Sequence, residues 1–547
     1  MVPVRLRQPP HRSHQAVRPA PTACGPALTV AVPAATQDVT RRFLTEADDA
    51  RRLGRIGAAR AAYRAALALA PDDLSAAMAL GTLEGERGLP VDGLRHLSRV
   101  VRHLPDDADA QANVGSALLA GGERATAIIA FCRALSLWPD HVGAHYNLGL
   151  AHHRVGSHAS ASTAYRRAVA IHTRHIDARR NLAVSLHASG ATADAARHLH
   201  RLVLERPERL DLRENLALIL LDAGDTQEAF RIFDDSAGAR YAPSGAPFAV
   251  GSDDGNVTPT KLKHDSEQLA YVISRGLASP ELTRLRDLYA DILARVPTGA
   301  APAQPLVLSA EQHHAIGPWY ARRYLRRDAP IASGRALHPA LDLGAMERRY
   351  LADRPELVVV DDLLSGPTQA ALQRFCMENS FWVRSYGGGY LGSFMEDGFV
   401  CPLLAQVADE IRASMPAVLG PHTLKKVWGF KYDSRLSGIN LHADFAAVNV
   451  NFWIMPDAVN QDPASGGLIV WNKPAPLSWG FEEYNRSPEQ ARRFLDDEKA
   501  KAIVVPYRGN RAVIFNSNLF HETDRIAFRD GYENRRINIT FLYGSRS

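Results

Sequence analysis

Four prolines set a ruler along the first half of the chain. Pro71, Pro105, Pro139 and Pro207 lie 34, 34 and 68 residues apart, and Thr173 stands where a fifth would fall. Laid out on that period, small residues recur at Ala47, Gly81, Gly115, Gly149, Ala183 and Ala217, and again at Ala59, Gly93, Ala127, Ala161, Ala195 and Ala229. Bulky residues recur at Tyr63, Leu97, Phe131, Tyr165, Leu199 and Phe233. A small residue lets two helices approach and a bulky one fills the space left, so each period predicts one helix pair stacked on the next. An unrelated bundle has no reason to hold several columns in one phase. The period runs from residue 40 to about 236 and predicts roughly six helix pairs.

In length and in its small, bulky and proline positions this repeat resembles the tetratricopeptide family. The resemblance implies an all-α solenoid over residues 39–236, with the first helix of each pair lining a concave groove. One polar column falls on that helix: Asn113, Asn147, Asn181 and Asn215 occupy the same place in four consecutive repeats. An amide can give one hydrogen bond to a peptide backbone and accept another, so the column predicts a ladder that reads an extended protein or peptide segment. The plainer alternative is a solvated inner wall.

Beyond Asp235 the pattern stops. Residues 237–259 bring Gly, Pro and Ser and read as a linker, while Asp265–Leu277 and Pro280–Val296 read as helices. Together residues 237–355 are expected to be a linker and helical brace. From residue 356 the signals become mixed. Leu357–Val360 reads as a strand, Pro367–Met377 and Cys401–Met415 as helices, and Lys426–Tyr432, Val448–Ile454, Gly466–Trp471 and Ala512–Phe515 as further strands. Tyr386-Gly387-Gly388-Gly389-Tyr390 lacks a following Gly-Lys-Ser/Thr, so a mobile loop is expected rather than a phosphate cradle. An insertion from Pro474 to about Ala502 carries a helix start at Ser487-Pro488-Glu489-Gln490. It reads equally as a lid, an interface or decoration.

Within this second half, His442-Ala443-Asp444 is the chemical signal, with His521 further on. Two residues apart on an extended strand, His442 and Asp444 would point to one side and could grip one metal, and His521 would complete a face. Two imidazoles and a carboxylate suit non-haem Fe(II) with open positions, whereas structural zinc wants four protein ligands and more thiolate. With 21 histidines a chance His-x-Asp is expected, and His175-Ile176-Asp177 supplies one. That copy lies at a junction between helical repeats, with no strand context and no matching His and Arg downstream.

The copy at 442 sits in a different company. His442-x-Asp444, the Gly466-Gly467 strand, His521 after Ala512-Val513-Ile514-Phe515, and Arg536 fifteen residues later together resemble the Fe(II)- and 2-oxoglutarate-dependent dioxygenases, in their prolyl-hydroxylase-like branch, over residues 356–547. The resemblance implies a double-stranded β-helix, a jelly roll of two antiparallel sheets with supporting helices. It implies Fe(II) on His442, Asp444 and His521, 2-oxoglutarate and O2 as co-substrates, and ascorbate as a candidate auxiliary reductant. A basic residue on the last strand pairs with the distal carboxylate of the co-substrate in that family, and Arg536 takes this place. Asn538 shares its face and would assist, and Tyr432 is a further hydrogen-bond candidate. Arg535 would point away, unless the register slips by one. Prolyl hydroxylases usually carry Lys at this position, a departure that weighs against proline as the substrate.

The expected whole is multidomain: a disordered basic tail over 1–38, with a targeting peptide as the alternative, then solenoid, brace and oxygenase. The net charge is +5, and Arg5, Arg7, Arg12 and Arg18 precede the first acidic residue, Asp38. The remainder is nearly neutral, so no nucleic-acid partner is expected. No apolar run is long enough for a membrane span. Cys24, Cys132, Cys376 and Cys401 have no metal-knuckle or redox-pair spacing, which fits a reducing, cytoplasmic setting. The sequon Asn538-Ile539-Thr540 would matter only in a secreted protein. The function these features predict is hydroxylation of a protein or peptide delivered by the repeat groove. Two alternatives stand beside it: the same chemistry on a small metabolite or glycan precursor with the repeats used for assembly, and a scaffold whose oxygenase is inactive.

Overall fold

In the computed structural model the described residues are 34–243, 256–297, 301–436 and 441–546. Most of the expected tail and part of the expected linker lie outside them. What is described of the tail is helical, because the first helix, Ala34–Arg52, already begins inside it.

Two compact units meet in sequence between Arg206 and Pro207. Among the described residues the first unit holds five helix pairs, from Ala34–Arg52 with Ile56–Leu69 to Ile176–Ala188 with Thr192–Glu205. The phased columns are its core: Tyr63, Leu97, Phe131, Tyr165 and Leu199 are buried, as are Ala47, Ala59, Ala127, Ala161, Ala183 and Ala195. A Cβ on Gly149 would come within 2.5 Å of the Tyr165 ring, and one on Gly115 within 2.6 Å of Phe131, so here only glycine fits under the bulky column. A further column escaped the sequence reading. Gly54, Gly88, Gly122, Gly156, Gly190 and Gly224 all have φ between +72° and +91°, turning the chain from the first helix of each pair to the second in the left-handed region that disfavours a side chain.

Helix starts explain the chance motif at 175. The side chains of Asp73, Asp107, His141 and His175 each accept the N–H three residues on, at 2.9, 2.8, 3.2 and 3.2 Å. His175 is therefore a helix cap in a column of caps.

The sixth helix pair, Leu210–Ala223 and Thr226–Arg240, belongs to the second unit rather than to the first, which moves the expected boundary at 236. Side chains account for this. Thr226 Oγ1 donates to Asp409 at 2.7 Å, Tyr241 Oη donates to Asp397 at 2.8 Å, Arg323 pairs with Asp234 at 2.8 Å, and Lys425 pairs with Asp222. The brace comprises helices Pro259–Ser274, Pro280–Leu293 and Ala310–Ile316, with an unforeseen helix at Leu343–Ala352. Its own core gathers Leu269, Tyr289, Ile316 and Tyr320. Gln268 fixes it to the rest of the unit by donating to the carbonyls of Met377 and Asn379 at 3.1 and 2.8 Å.

The strands are β1 (Leu357–Val360), β2 (Arg384–Ser385), β3 (Tyr390–Phe394), β4 (Leu424–Tyr432), β5 (Arg435–Leu436), β6 (Val448–Trp453), β7 (Leu468–Pro474), β8 (Ala502–Val505), β9 (Ala512–Asn516), β10 (Leu519–Thr523), β11 (Ile526–Ala527) and β12 (Ile537–Tyr543). They form a seven-stranded sheet in the order β1-β9-β6-β12-β4-β3-β2, a three-stranded sheet β10-β7-β8, and the pair β11-β5. Every pairing is antiparallel. β6 reads Val-Asn-Val-Asn-Phe-Trp and is buried throughout, so one of its faces is apolar and the other carries amides. The apolar face, with Ile537, Ile539, Phe541 and Tyr543 of β12, lies under helix Pro402–Ser414: Tyr543 Oη donates to the Ala408 carbonyl at 2.8 Å.

Candidate metal centre

In antiparallel pairs, residues directly opposite share a face. Asn538 lies opposite Phe430 and Trp453, Thr540 opposite Trp428 and Asn451, and Leu542 opposite Asn449. The ladder continues one step beyond β12, where the Tyr432 N–H donates to the Arg536 carbonyl at 2.9 Å. One face of the large sheet therefore carries Asn449, Asn451, Trp453, Arg536, Asn538 and Thr540, flanked by Trp428, Phe430 and Tyr432.

The histidines reach this face from outside the large sheet. Residues 441–444 do not form the regular strand that the sequence suggested. Instead His442 makes an isolated antiparallel bridge to His521, closed by backbone bonds of 3.0 and 2.8 Å, and the Asp444 N–H donates to the Ser517 carbonyl at 3.1 Å. His442 and His521 thus become cross-strand neighbours, with ring centroids 4.4 Å apart. Asp444 Oδ2 lies 3.4 Å from His521 Nε2, and Oδ1 lies 3.9 Å from His442 Nε2. One ligand atom from each of the three falls within 4.8 Å of the others.

The surroundings say which atoms can ligate. His521 Nδ1 is 3.0 Å from the Leu519 carbonyl, which only accepts, so Nδ1 carries a proton. Nε2 of a neutral ring then presents a lone pair to a buried carboxylate. Two acceptors facing each other at 3.4 Å require a cation between them, either a proton or a metal. Asp444 is further fixed by Asn449, whose Nδ2 donates to Oδ2 at 2.8 Å. Burial pushes the Asp444 pKa up, but His521, His442 and the Asn449 amide outweigh it, and the net effect lies below the usual carboxylate value. The three side chains could hold a divalent metal on one face and leave its other positions open.

Arg536 sits on the same sheet face and is almost wholly buried. Its Nε donates to the Gly466 carbonyl at 2.7 Å, its Nη2 to Gly467 at 3.3 Å and its Nη1 to Asn538 Oδ1 at 3.3 Å. The guanidinium lies 4.7 Å from the Tyr432 ring centroid and 5.6 Å from that of Trp453. Gly467 has no room for a side chain, since a Cβ there would come within 1.9 Å of the Val505 carbonyl. Burial lowers the Arg536 pKa, partly offset by Tyr432 and Tyr507. Among the described residues no carboxylate closes an ion pair with it. Arg535 is the opposite case: it points away from this face and is held by Glu267 at 2.8 Å. The two neighbours are thereby distinguished.

Among the described residues, four buried polar atoms of this face have no hydrogen-bond partner: Asn449 Oδ1, Asn451 Oδ1, Trp453 Nε1 and Tyr432 Oη. The last is directed at Thr523 and Arg536 without closing a bond of normal geometry. Each such atom is costly by about 1–3 kcal/mol if nothing meets it; Trp453 Nε1 and Tyr432 Oη can donate to an acidic occupant, whereas the two amide oxygens only accept and would need a donor. Asn451 and Asn538 both donate to Thr540 Oγ1, at 3.0 and 3.4 Å, linking the Asp444 end to the Arg536 end. The sequence reading missed Asn449, Asn451 and Trp453. Their alternation with Val448, Val450 and Phe452 was the available signal. Asn538 is buried in this network, so the sequon at 538 is not presented.

The asparagine column fares differently. Asn147 donates to Ser116 at 3.0 Å and Asn181 donates to Tyr146 at 3.3 Å, while Arg180 Nε donates to Asn181 Oδ1 at 3.2 Å. Asn181 is 1% exposed, and Asn113 and Asn215 are partly buried. Two rungs of the expected four-rung ladder tie the first helices of consecutive repeats together, because hydroxyls of the preceding helix lie within reach.

Comparison with known proteins bears on the repeats. A tetratricopeptide repeat model matches residues 44–92, and a model described as a bacterial transcriptional activator domain matches residues 106–237. Among solved structures, a MamA protein is 25% identical, covering 32% of this chain and 94% of its own at a TM-score of 0.28. A second MamA structure is 28% identical over 30% of this chain and 95% of its own, with a TM-score of 0.27. A thermophilic TPR protein of Thermus thermophilus is 22% identical over 33% and 99%, with a TM-score of 0.30. No curated protein matches. The N-terminal part of the chain is thus built of tetratricopeptide-type repeats, a class that mediates protein–protein contacts. Among the described residues no helix is long and apolar enough to cross a membrane.

Proposed function

We propose that the sheet-bearing unit is an Fe(II)- and 2-oxoglutarate-dependent hydroxylase of the double-stranded β-helix type, and that its substrate is a protein or peptide engaged by the repeats. The observation that carries this reading is one face holding both a two-histidine, one-carboxylate cluster and a buried guanidinium without a carboxylate partner. A dicarboxylate would suit such a pair, with Arg536 holding one of its carboxylates. A large and a small antiparallel sheet, with His521 on the small one, fit the proposed architecture.

When bound, iron and 2-oxoglutarate supply the oxidant: O2 is consumed, 2-oxoglutarate becomes succinate and CO2, and one oxygen atom enters a substrate C–H bond. The chain's own residues bind and orient. His442, Asp444 and His521 hold the metal, with Asn449 fixing the carboxylate. Arg536 takes the distal carboxylate, positioned by the carbonyls of Gly466 and Gly467 and by Asn538. Tyr432 and Trp453 lie against the Arg536 guanidinium and keep water from it, which strengthens a charged contact there.

Iron-dependent succinate release from 2-oxoglutarate, abolished in His442→Ala, tests the chemistry; iron-loaded protein that consumes no 2-oxoglutarate would reject it. The burial of Asn181 gives weight to a second reading, in which the repeats serve assembly and the substrate is a small metabolite or glycan precursor. Capture with full-length Asp444→Ala followed by mass spectrometry separates the two, since only the first yields a protein that wild type modifies by one oxygen.

A further inference from the structure

We infer that the insertion between β7 and β8 is a clasp that sets the geometry of the metal ligands, with Asn485 as its principal positioning residue. The inference rests on the metal-centre reading above. Along 442–444, alternate residues bond to opposite sides, as in any extended segment. His442 and Asp444 bond to His521 and Ser517 on one side. On the other side, where a neighbouring strand would lie, there is none among the described residues.

Ala443 is fully buried, and both of its backbone groups need partners. The insertion supplies them. The Ala443 N–H donates to the Tyr484 carbonyl at 2.8 Å, and the Ala443 carbonyl accepts from Asn485 Nδ2 at 2.9 Å. Both residues belong to the short helix Phe481–Asn485. One backbone carbonyl and one side-chain amide therefore stand in for the missing strand at the residue between the two ligands. Apolar packing holds the short helix in place, with Tyr484 and Leu495 of the insertion gathered with Leu441, Ala443 and Phe520. A second tether reaches the third ligand, where Arg492 pairs with Glu522, next to His521, at 2.9 and 3.2 Å.

Because Asn485 touches no metal position, its effect must pass through the Ala443 backbone to His442 and Asp444. Outer partners that orient ligands typically change metal affinity about 10- to 100-fold. Co(II) titration of the full chain, followed by visible absorption, is the test. Asn485→Ala and Asn485→Asp should each weaken Co(II) about tenfold and alter the Co(II) absorption bands, with the metal-free protein still melting cooperatively. Arg492→Gln should shift affinity the same way by less. Arg486→Ala, on the adjacent exposed residue that pairs with Glu482, should leave affinity and spectrum unchanged. Wild-type affinity and bands in both Asn485 variants and in Arg492→Gln would overturn the clasp. A wild type whose Co(II) binding is indifferent to His442→Ala would instead overturn the metal centre itself, so the two failures are distinct.

Discussion

Arg536→Met should lower affinity for 2-oxoglutarate while leaving the stability of the metal-free protein unchanged or raised. The two effects have different origins. In the folded chain the guanidinium makes three hydrogen bonds, all to neutral oxygens: the carbonyls of Gly466 and Gly467 and Asn538 Oδ1, at 2.7, 3.3 and 3.3 Å. Hydrogen bonds to a charged group contribute about 1.5–3 kcal/mol each, and the two long ones belong at or below the bottom of that range. Against them stands the desolvation of a cation buried to 1% exposure, which costs several kcal/mol. The opposing terms nearly cancel, and a methionine of similar length fills the volume without a charge. With a carboxylate bound, the balance changes, because two charge-assisted bonds to an anion are added. Losing them should raise the dissociation constant of 2-oxoglutarate by about 100-fold or more, from about 3 kcal/mol or more of lost binding. Calorimetry of 2-oxoglutarate binding to Mn(II)-loaded protein without oxygen, paired with urea midpoints of the metal-free forms, measures both. Binding within about twofold of wild type, or a large loss of stability with binding intact, would show that Arg536 is a structural residue.

Other outcomes follow from the same structure. Lys431 is fully buried, with Nζ 3.6 Å from the Tyr532 ring centroid, and burial followed by the nearby Arg535 holds its pKa well below the usual lysine value. Between that depressed value and about 10.4 the unfolded chain carries a proton that the folded chain lacks. Stability therefore rises with pH across this window. Lys431→Met should then stabilise the protein by on the order of 1 kcal/mol at pH 7 and by less at pH 10, read from urea midpoints; an equal or larger gain at pH 10 would refute the sign. Asn181→Ala should lower the stability of the repeat unit by about 1–2 kcal/mol, as Tyr146 and Arg180 each lose one hydrogen bond, whereas Asn113→Ala should stay within about 0.5 kcal/mol. Gly156→Ala places a Cβ at φ +79° and should cost about 1 kcal/mol, detectable as a lower midpoint of the same transition.

What was legible in the sequence was what local chemistry specifies. The 34-residue phase is a packing rule repeated along the chain, so the bulky column from Tyr63 through Leu199 could be assigned to the core from spacing alone. The cluster of His442, Asp444 and His521 could be named from residue type, and Arg536 from the family resemblance, with its parity placing it on the same face as Asn538. What escaped depends on contacts between distant segments. His442 and Asp444 were expected on a regular strand, but their segment pairs with His521 on one side and with an insertion on the other. The sixth repeat looks like its predecessors in sequence, yet Asp222, Thr226 and Asp234 find partners beyond residue 320 and bind it into the other unit. The one-residue register that separates Arg535 from Arg536 was left open by the sequence and is fixed by Glu267 beside the former. The asparagine column had the right phase for a groove, but hydroxyls on the preceding helix take up Asn147 and Asn181.

Anaerobic equilibrium dialysis of full-length protein with Mn(II), with and without 2-oxoglutarate, tests the central claim most directly. Wild type should bind one Mn(II) per chain and take up one 2-oxoglutarate only when the metal is present, and Asp444→Ala should lose both. Uptake of 2-oxoglutarate independent of metal, or unchanged Mn(II) binding in Asp444→Ala, would contradict a metal centre at His442, Asp444 and His521.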